Sequence, residues 1–205
     1  MGRRPSSIGW IPQLGFAGRP TCCGTHRTAS IFNSVQELEA AIHAQHTAGF
    51  TPRLCASFCW PWSEADQTGH LVNNVVIGEW ARPWNAKPES ARLAPGMPRS
   101  HYWASSDPHG LEQVGCVYTA QGFEFDYVGV IFGRDLRYDL QAGVWIGDKT
   151  QSHNAVVKLA GERFVELIKQ TYRVLLTRGM KGCYFYFMDE STRHFVQSRI
   201  DRSSR

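Results

Sequence analysis

"VGCVYTAQGFEFDYVGVIFG" (114–133) is the stretch whose reading decides the fold. Its two ends, "VGCVYT" (114–119) and "YVGVIFG" (127–133), are short, Val-rich and apolar throughout. A strand with one wet face alternates polar and apolar residues. An unbroken apolar run instead marks a strand buried on both faces of a parallel sheet. Between the two runs lies a polar insert carrying Gln121, Gly122, Glu124 and Asp126. Ligands of α/β sheets sit where strand C-termini open into loops, and this insert begins where the first run ends.

Working outward, the pattern stays that of an α/β protein. "SVQE" (34–37) has the form of a capping box, with Ser34 accepting from the Glu37 N–H. Val35, Leu38 and Ile42 then share a helical face, and Gly49 is a fitting stop, which predicts a helix over about 35–47. "RLCASFCW" (53–60) reads as a strand closed by Pro61, and "LVNNVVIGEW" (71–80) as another. Residues 81–110 have no sustained period and read as a long loop, a kind of segment that is often functional. Residues 134–155 are polar and turn-rich. A long helix is expected from Val156 to Leu176, with Phe164, Leu167, Ile168 and Leu175 on one face. Gly179 and Gly182 of "TRGMKG" break it before a last strand, "CYFYFM" (183–188), and Phe195 and Ile200 suit a short C-terminal helix. Buried strands mixed with amphipathic helices predict a mostly parallel central sheet flanked by helices.

The N-terminal stretch differs. Residues 1–29 hold Arg3, Arg4, Arg19 and Arg27, and no acidic residue precedes Glu37. Pro5, Pro12 and Pro20 argue against the amphipathic helix of a targeting peptide, so a disordered basic leader is expected there, with the ordered domain over 30–205. No run approaches the ~20 apolar residues of a membrane span, which makes a cytoplasmic protein the default expectation. The net charge of +4 is compatible with a polyanionic partner without requiring one. Cys55, Cys116 and Cys183 each lie inside an apolar run and read as buried thiols. Zinc is disfavoured, because Cys55 and Cys59 on one extended strand would stand ~13 Å apart. The tryptophans at 60, 62, 80, 84 and 103 suit stacking on bases, but core or loop anchoring is the commoner use.

Two constellations carry chemistry. In the polar insert, Gly122 allows close backbone approach to a phosphate or sugar, Thr119 and Gln121 offer hydrogen bonds, and Glu124 can accept from a ribose hydroxyl. The same residues also fit a tight solvated loop, and on this segment alone the two readings stand level. In "TYRVLLTRGMKG" (171–182), Arg173 and Arg178 approach a helix end and Lys181 follows. A guanidinium fork matches two phosphate oxygens, whereas a basic helix terminus equally satisfies the helix dipole.

Taken together, the two stretches resemble a known pattern. "YTAQGFEFD" is similar to the fifth conserved motif of superfamily 1 helicases, and "YRVLLTRGMKG" to the sixth. From about Ile31 onward the chain resembles the C-terminal part of the DUF2075 family, also called the Schlafen group 3-like DNA/RNA helicase domain. "RLCASFCWPWS" (53–63) and "YRVLLTRGMKGCYFYFMDE" (172–190) carry that resemblance further. It implies a RecA-like second motor lobe, with ATP and Mg2+ held against a first lobe that bears the phosphate loop. Arg178 matches the sixth-motif arginine that reaches the γ-phosphate. Gln121, Gly122, Glu124 and Arg173 fall on the nucleotide side. Thr119 and Lys181 fall on the side of the nucleic acid, DNA or RNA. Arg53 matches an earlier arginine of the lobe, while Ser57 and Asn154 depart from an expected Gly and Asp. The chain has no G-x-x-x-x-G-K-[ST] stretch and no paired acids ending a strand; "GDKT" (147–150) comes nearest. The expectation is a lobe encoded as a truncated or separate chain, needing a P-loop lobe in cis or trans and hydrolysing no ATP alone. The rival expectation is a non-catalytic nucleic-acid-binding or interaction module.

Overall fold

The structure is a computed structural model, and it describes residues 28–90, 92–105 and 107–203. Of the expected leader, only Thr28 and Ala29 fall within them, and both belong to the first strand, β1 (Thr28–Ile31). Arg3, Arg4, Arg19 and Arg27 of that leader lie outside the described residues.

The centre of the molecule is a five-stranded, all-parallel sheet. Its other strands are β2 (Pro52–Ala56), β5 (Val114–Gly115), β6 (Phe125–Phe132) and β9 (Gly179–Phe187). Their spatial order is β1-β9-β6-β2-β5. This is the α/β, RecA-like arrangement expected from the apolar runs. Helix α1 (Val35–Thr47) starts at Ser34, whose hydroxyl accepts from the Glu37 N–H at 3.1 Å, while Glu37 reaches back to the Asn33 N–H. It buries Val35, Leu38 and Ile42 on one face of the sheet against Leu54, Ala56, Ile131 and Tyr184. On the other face, Cys55, Val128, Val130, Phe132, Cys183, Phe185 and Phe187 meet Phe164, Ile168, Tyr172 and Leu175 of α5 (Phe164–Leu176). Phe195, Val196 and Ile200 of α6 (Glu190–Ser203) complete that layer. The strict alternation of these residues along β6 and β9 is what buries both faces of the sheet.

Several elements differ from the sequence reading, each for a local reason. The run 114–119 is not one strand. After Gly115 the chain turns into a short helix, α3 (Val117–Ala120), because the Thr119 hydroxyl accepts from the Cys116 N–H at 3.1 Å. The strand expected over 71–80 is a hairpin, β3 (Val75–Ile77) and β4 (Trp80–Arg82), turned by Gly78 at φ +59°. Residues 134–155 also contain a hairpin, β7 (Leu136–Asp139) with β8 (Val144–Gly147). The long helix is split: α4 (Ala155–Lys158) stops, Gly161 takes φ +60°, and α5 begins at Phe164. The helix ends at Leu176 as expected, but the strand that follows already begins at Gly179 and takes in Gly182. Phe125 pairs with Gly179 and Tyr127 with Gly182, so β9 carries one extra residue there, a bulge. A Cβ on Gly182 would lie 2.5 Å from Thr28 Oγ1 and from Tyr127, which leaves room for glycine alone.

Residues 57–113 form an insertion between the adjacent strands β2 and β5, and its tryptophans anchor it. The indole N–H groups of Trp60, Trp62 and Trp84 donate to the carbonyls of Val76, Asn85 and Pro61. Trp80 donates to the buried Glu39 of α1, which also takes a two-pronged ion pair from Arg82. Trp103, on α2 (Ser100–Ser105), is fully buried against Phe125. Anchoring, rather than an exposed stacking surface, is the use these residues are put to.

Candidate functional site

The two motif stretches meet at the N-terminal end of the sheet. Helix α3 ends at Ala120, and the Gln121–Glu124 loop leads into β6; all four of its residues are exposed. Gly122 sits at φ +89° with open space around the position a Cβ would take, so a bound group can approach its backbone. Helix α5 ends at Leu176, and Arg178 precedes β9. Its backbone carbonyl accepts from the Phe125 N–H at 2.9 Å, and its Nη1 donates to the Phe123 carbonyl at 3.2 Å. Arg178 thus holds the loop's exit from two sides. Its Nε donates to the Val174 carbonyl at 3.1 Å and its Nη2 to the Thr177 hydroxyl at 3.2 Å, which caps the end of α5. A guanidinium has five N–H donors. Three are committed here, leaving one hydrogen on each terminal nitrogen, the pair a two-pronged oxyanion contact uses.

The other expected site residues fall around this clamp in different ways. Arg173 is half-buried in the last turn of α5 and is engaged within the protein. Gln121 and Glu124 are exposed beside Gly122. Thr119 is buried and donates to Asn85 Oδ1 at 3.0 Å, tying the base of the loop to the insertion. Lys181 lies on the β9 bulge, where its ammonium pairs with Asp126 at 2.9 Å and lies 4.4 Å from the centre of the Phe50 ring. Burial alone would raise the Asp126 carboxyl. The Lys181 charge and the Thr51 donors outweigh it and hold the group below its ordinary value. Arg53 is not at the surface: its guanidinium is buried and donates to the carbonyls of Trp103, Pro52 and Asp107 at 2.5, 2.7 and 3.1 Å.

A second polar cluster, at the opposite end of the sheet, was not legible in the sequence. Asp135 is fully buried just past β6. Its Oδ2 accepts from the Ser57 hydroxyl at 2.5 Å and its Oδ1 from the Tyr172 hydroxyl at 2.8 Å. Tyr172 in turn accepts from the Gly133 N–H at 2.8 Å. Burial pushes the Asp135 carboxyl up, and the Ser57, Tyr172 and Cys59 donors offset only part of that. Burial, followed by the Asp135 charge, likewise raises the Cys59 thiol well above its ordinary value. Ser57 and Asn154, the two departures from the expected motif residues, both have local partners. Ser57 feeds Asp135, while Asn154 caps α4 and donates to the Tyr118 hydroxyl at 3.2 Å. Only an aspartate two residues past an apolar run marked this cluster in the sequence, and an exposed turn would look the same.

Among the described residues, no group of three His, Cys, Asp or Glu side chains is placed to hold a metal ion. No helix among them is long and apolar enough to cross a membrane.

Comparison with known proteins bears on the same regions. The chain is 33% identical over 90 residues to Uncharacterized protein YPL245W of Saccharomyces cerevisiae, a stretch that is 40% of this chain and 20% of that protein. The chain therefore spans well under two thirds of that relative. No solved structure matches it. Residues 18–189 match the family described as Schlafen group 3, DNA/RNA helicase domain, an interval that takes in the exposed loop, its arginine clamp and the tryptophan-anchored insertion. With most of its length inside that match, the chain belongs to the Schlafen group 3 DNA/RNA helicase domain family.

Proposed function

We propose that this chain is the C-terminal RecA-like lobe of a DUF2075-type, ATP-dependent DNA/RNA helicase motor, completed by a P-loop lobe in cis or in trans. The observation that carries the reading is the Arg178 guanidinium. It joins the two motif stretches and keeps one N–H on each terminal nitrogen. ATP and Mg2+ supply a phosphoanhydride and a bridging cation, and the P-loop partner would hold both, because this chain has no cradle for them. The residues present fit the complementary half of such a site. Arg178 and Arg173 bring positive charge to the end of α5, Gly122 offers approachable backbone, and Gln121 and Glu124 offer exposed polar groups. Lys181 lies on the nucleic-acid side, and Thr119 acts through the loop base that it anchors. A change at the loop reaches α5 and β6 directly, since one arginine hydrogen-bonds to all three.

Phosphate release measured with and without a P-loop-bearing lobe of the same family tests this reading. The isolated chain is expected to hydrolyse ATP at background. The mixture is expected to turn over, and Arg178→Ala to cut that turnover about 10³-fold or more, as loss of an arginine finger does. Turnover by the pure chain, abolished by Arg178→Ala, would overturn the division of labour.

A second reading is favoured by the three protein acceptors already on Arg178. The arginine is then a structural clamp, and the chain a non-catalytic nucleic-acid-binding module. Salt-sensitive binding of single strands, indifferent to both ATP and a P-loop lobe, distinguishes it.

A further inference from the structure

The Gln121–Glu124 loop rests at both of its ends on the insertion. At its entrance stands Asn85, which is fully buried. The Asn85 N–H donates to the Val114 carbonyl at 2.9 Å, and its own carbonyl accepts from the Trp62 indole at 2.8 Å. Its Nδ2 donates to the Ala86 carbonyl at 3.0 Å, which turns the amide oxygen toward Thr119. The Thr119 hydroxyl has one proton and two acceptors in reach, Asn85 Oδ1 at 3.0 Å and the Cys116 carbonyl at 3.1 Å. The Cys116 carbonyl already accepts from the Thr119 and Ala120 N–H groups, at 3.2 and 2.9 Å, so both its lone pairs are used and the proton goes to Asn85. A lone pair of the hydroxyl then faces the Cys116 N–H, and that bond, at 3.1 Å, starts α3. At the loop's exit, Phe125 gives its N–H to the Arg178 carbonyl at 2.9 Å and packs its ring edge-on against Trp103, with centroids 5.8 Å apart.

We propose that Asn85 is a positioning residue for this loop, acting through Thr119, and that residues 57–113 thereby help to aim the Arg178 guanidinium. The functional part of the proposal rests on the motor reading above. The loop has little means of placing itself. All four of its residues are exposed, and a helix of four residues such as α3 is far too short to be stable alone. Its course is set by what grips its ends, which is Arg178 on one side and the insertion on the other. The Asn85 oxygen decides how the Thr119 hydroxyl turns, and the hydroxyl decides where α3 delivers the chain. A loosened entrance draws the Phe123 carbonyl away from Arg178 Nη1, one of the three bonds that fix the direction of the guanidinium. The tryptophan-anchored insertion is then part of the coupling machinery, not an appendage to it.

Hydrogen exchange on the full chain tests the positioning, and turnover with a P-loop lobe tests its consequence. The amides to follow are Ala120, Gln121 and Phe123, which donate to the carbonyls of Cys116, Val117 and Ala120. Asn85→Ala is expected to speed exchange at all three by about tenfold or more, a local opening. Ser57→Ala, which removes a buried hydrogen bond at the other end of the sheet, is the control and should leave them unchanged. Thr119→Val is expected to act as Asn85→Ala does, and the double variant to go no further, since both cut one link. Trp62→Phe, which loosens Asn85 without touching it, should move the same amides in the same direction, and it decides the matter should Asn85→Ala not fold. Mixed with a P-loop lobe, folded Asn85→Ala is expected to lose about tenfold or more in turnover, while Ser57→Ala keeps it. Unmoved amides in Asn85→Ala, equal acceleration in Ser57→Ala, effects that multiply in the double variant, or full turnover by Asn85→Ala would each overturn the inference and leave the motor reading standing. If the amides move as expected but the unaltered mixture does not turn over, the motor reading falls and the positioning of the loop by Asn85 remains.

Discussion

Replacing Tyr172 with Phe should cost the protein about 3–5 kcal/mol, although it removes a single atom. The ring keeps its place: it is fully buried and stacked on Phe132 with centroids 3.7 Å apart. The loss lies in the hydroxyl, which donates to Asp135 Oδ1 and accepts from the Gly133 N–H, both at 2.8 Å. Stranding the buried Gly133 N–H costs about 1–3 kcal/mol, and a hydrogen bond to a charged group about 1.5–3 kcal/mol. Gly133 and Asp135 are both buried, and no cavity term enters, since only the oxygen is gone. In a chain of this length each kcal/mol moves the melting temperature by ~2–4 °C, so a drop of roughly 6–20 °C is expected. Urea unfolding at neutral pH reads the free energy, and calorimetry the temperature. Tyr118→Phe is the matched control, since Tyr118 is 57% exposed and should lose about 0.5 kcal/mol or less. A loss under about 1 kcal/mol for Tyr172→Phe would refute the reasoning, because the hydroxyl would then not be bridging two buried groups.

The same cluster gives stability a pH dependence of definite sign. Asp135 has its folded pKa raised above the ordinary 3.8, so its contribution is fully present below that value and is lost as pH rises through the folded pKa. Asp135→Asn, which keeps an acceptor for Tyr172, should flatten that decline when urea unfolding is repeated from acid to neutral pH. Gly115→Ala should cost about 3 kcal/mol or more, since the new Cβ would lie 1.9 Å from the ring of the fully buried Trp103. Tryptophan fluorescence should report the displaced indole, and an unchanged spectrum and melting temperature would contradict the packing described.

Strands β2, β6 and β9 were readable because their runs are largely apolar on both faces, a pattern that survives without knowledge of any partner, whereas β1, with Thr28 and Ser30 among its four residues, offers no such run. Helix α1 was readable to its ends because Ser34, Glu37 and Gly49 are local signals. What escaped was set at a distance. Residues 116–120 look like more of the preceding strand, and only Thr119, bonded to Asn85, shows why they coil. An apolar run cannot by itself tell a buried strand from a buried helical turn. "TRGMKG" looked like a helix-ending turn before the strand, but its glycines lie within the strand: Gly182 lets Thr28 and Tyr127 pack close, and Gly179 lets the Gly182 carbonyl do so at the bulge. The arginine at 178 could be singled out by its motif, but its bond to Phe123 across the sheet end could not. The Asp135 cluster joins residues from 57, 135 and 172, and no spacing in the chain announces it.

The two flanks of the sheet are guarded unequally. Beyond β5 lies the insertion, where Trp84 bridges to Val114, the Asn85 N–H donates to the Val114 carbonyl and the Val114 N–H to the Pro83 carbonyl. Beyond β9, among the described residues, lies β1 alone, four residues that pair with Gly182 through Phe185. The strand beneath ends in "CYFYF" (183–187), an uncharged run of strong β-formers. Stripped of β1 by proteolysis near residue 31, it would present its amide and carbonyl groups to any similar strand, as a template for aggregation. Among the described residues, four of modest sequence are therefore what covers that edge.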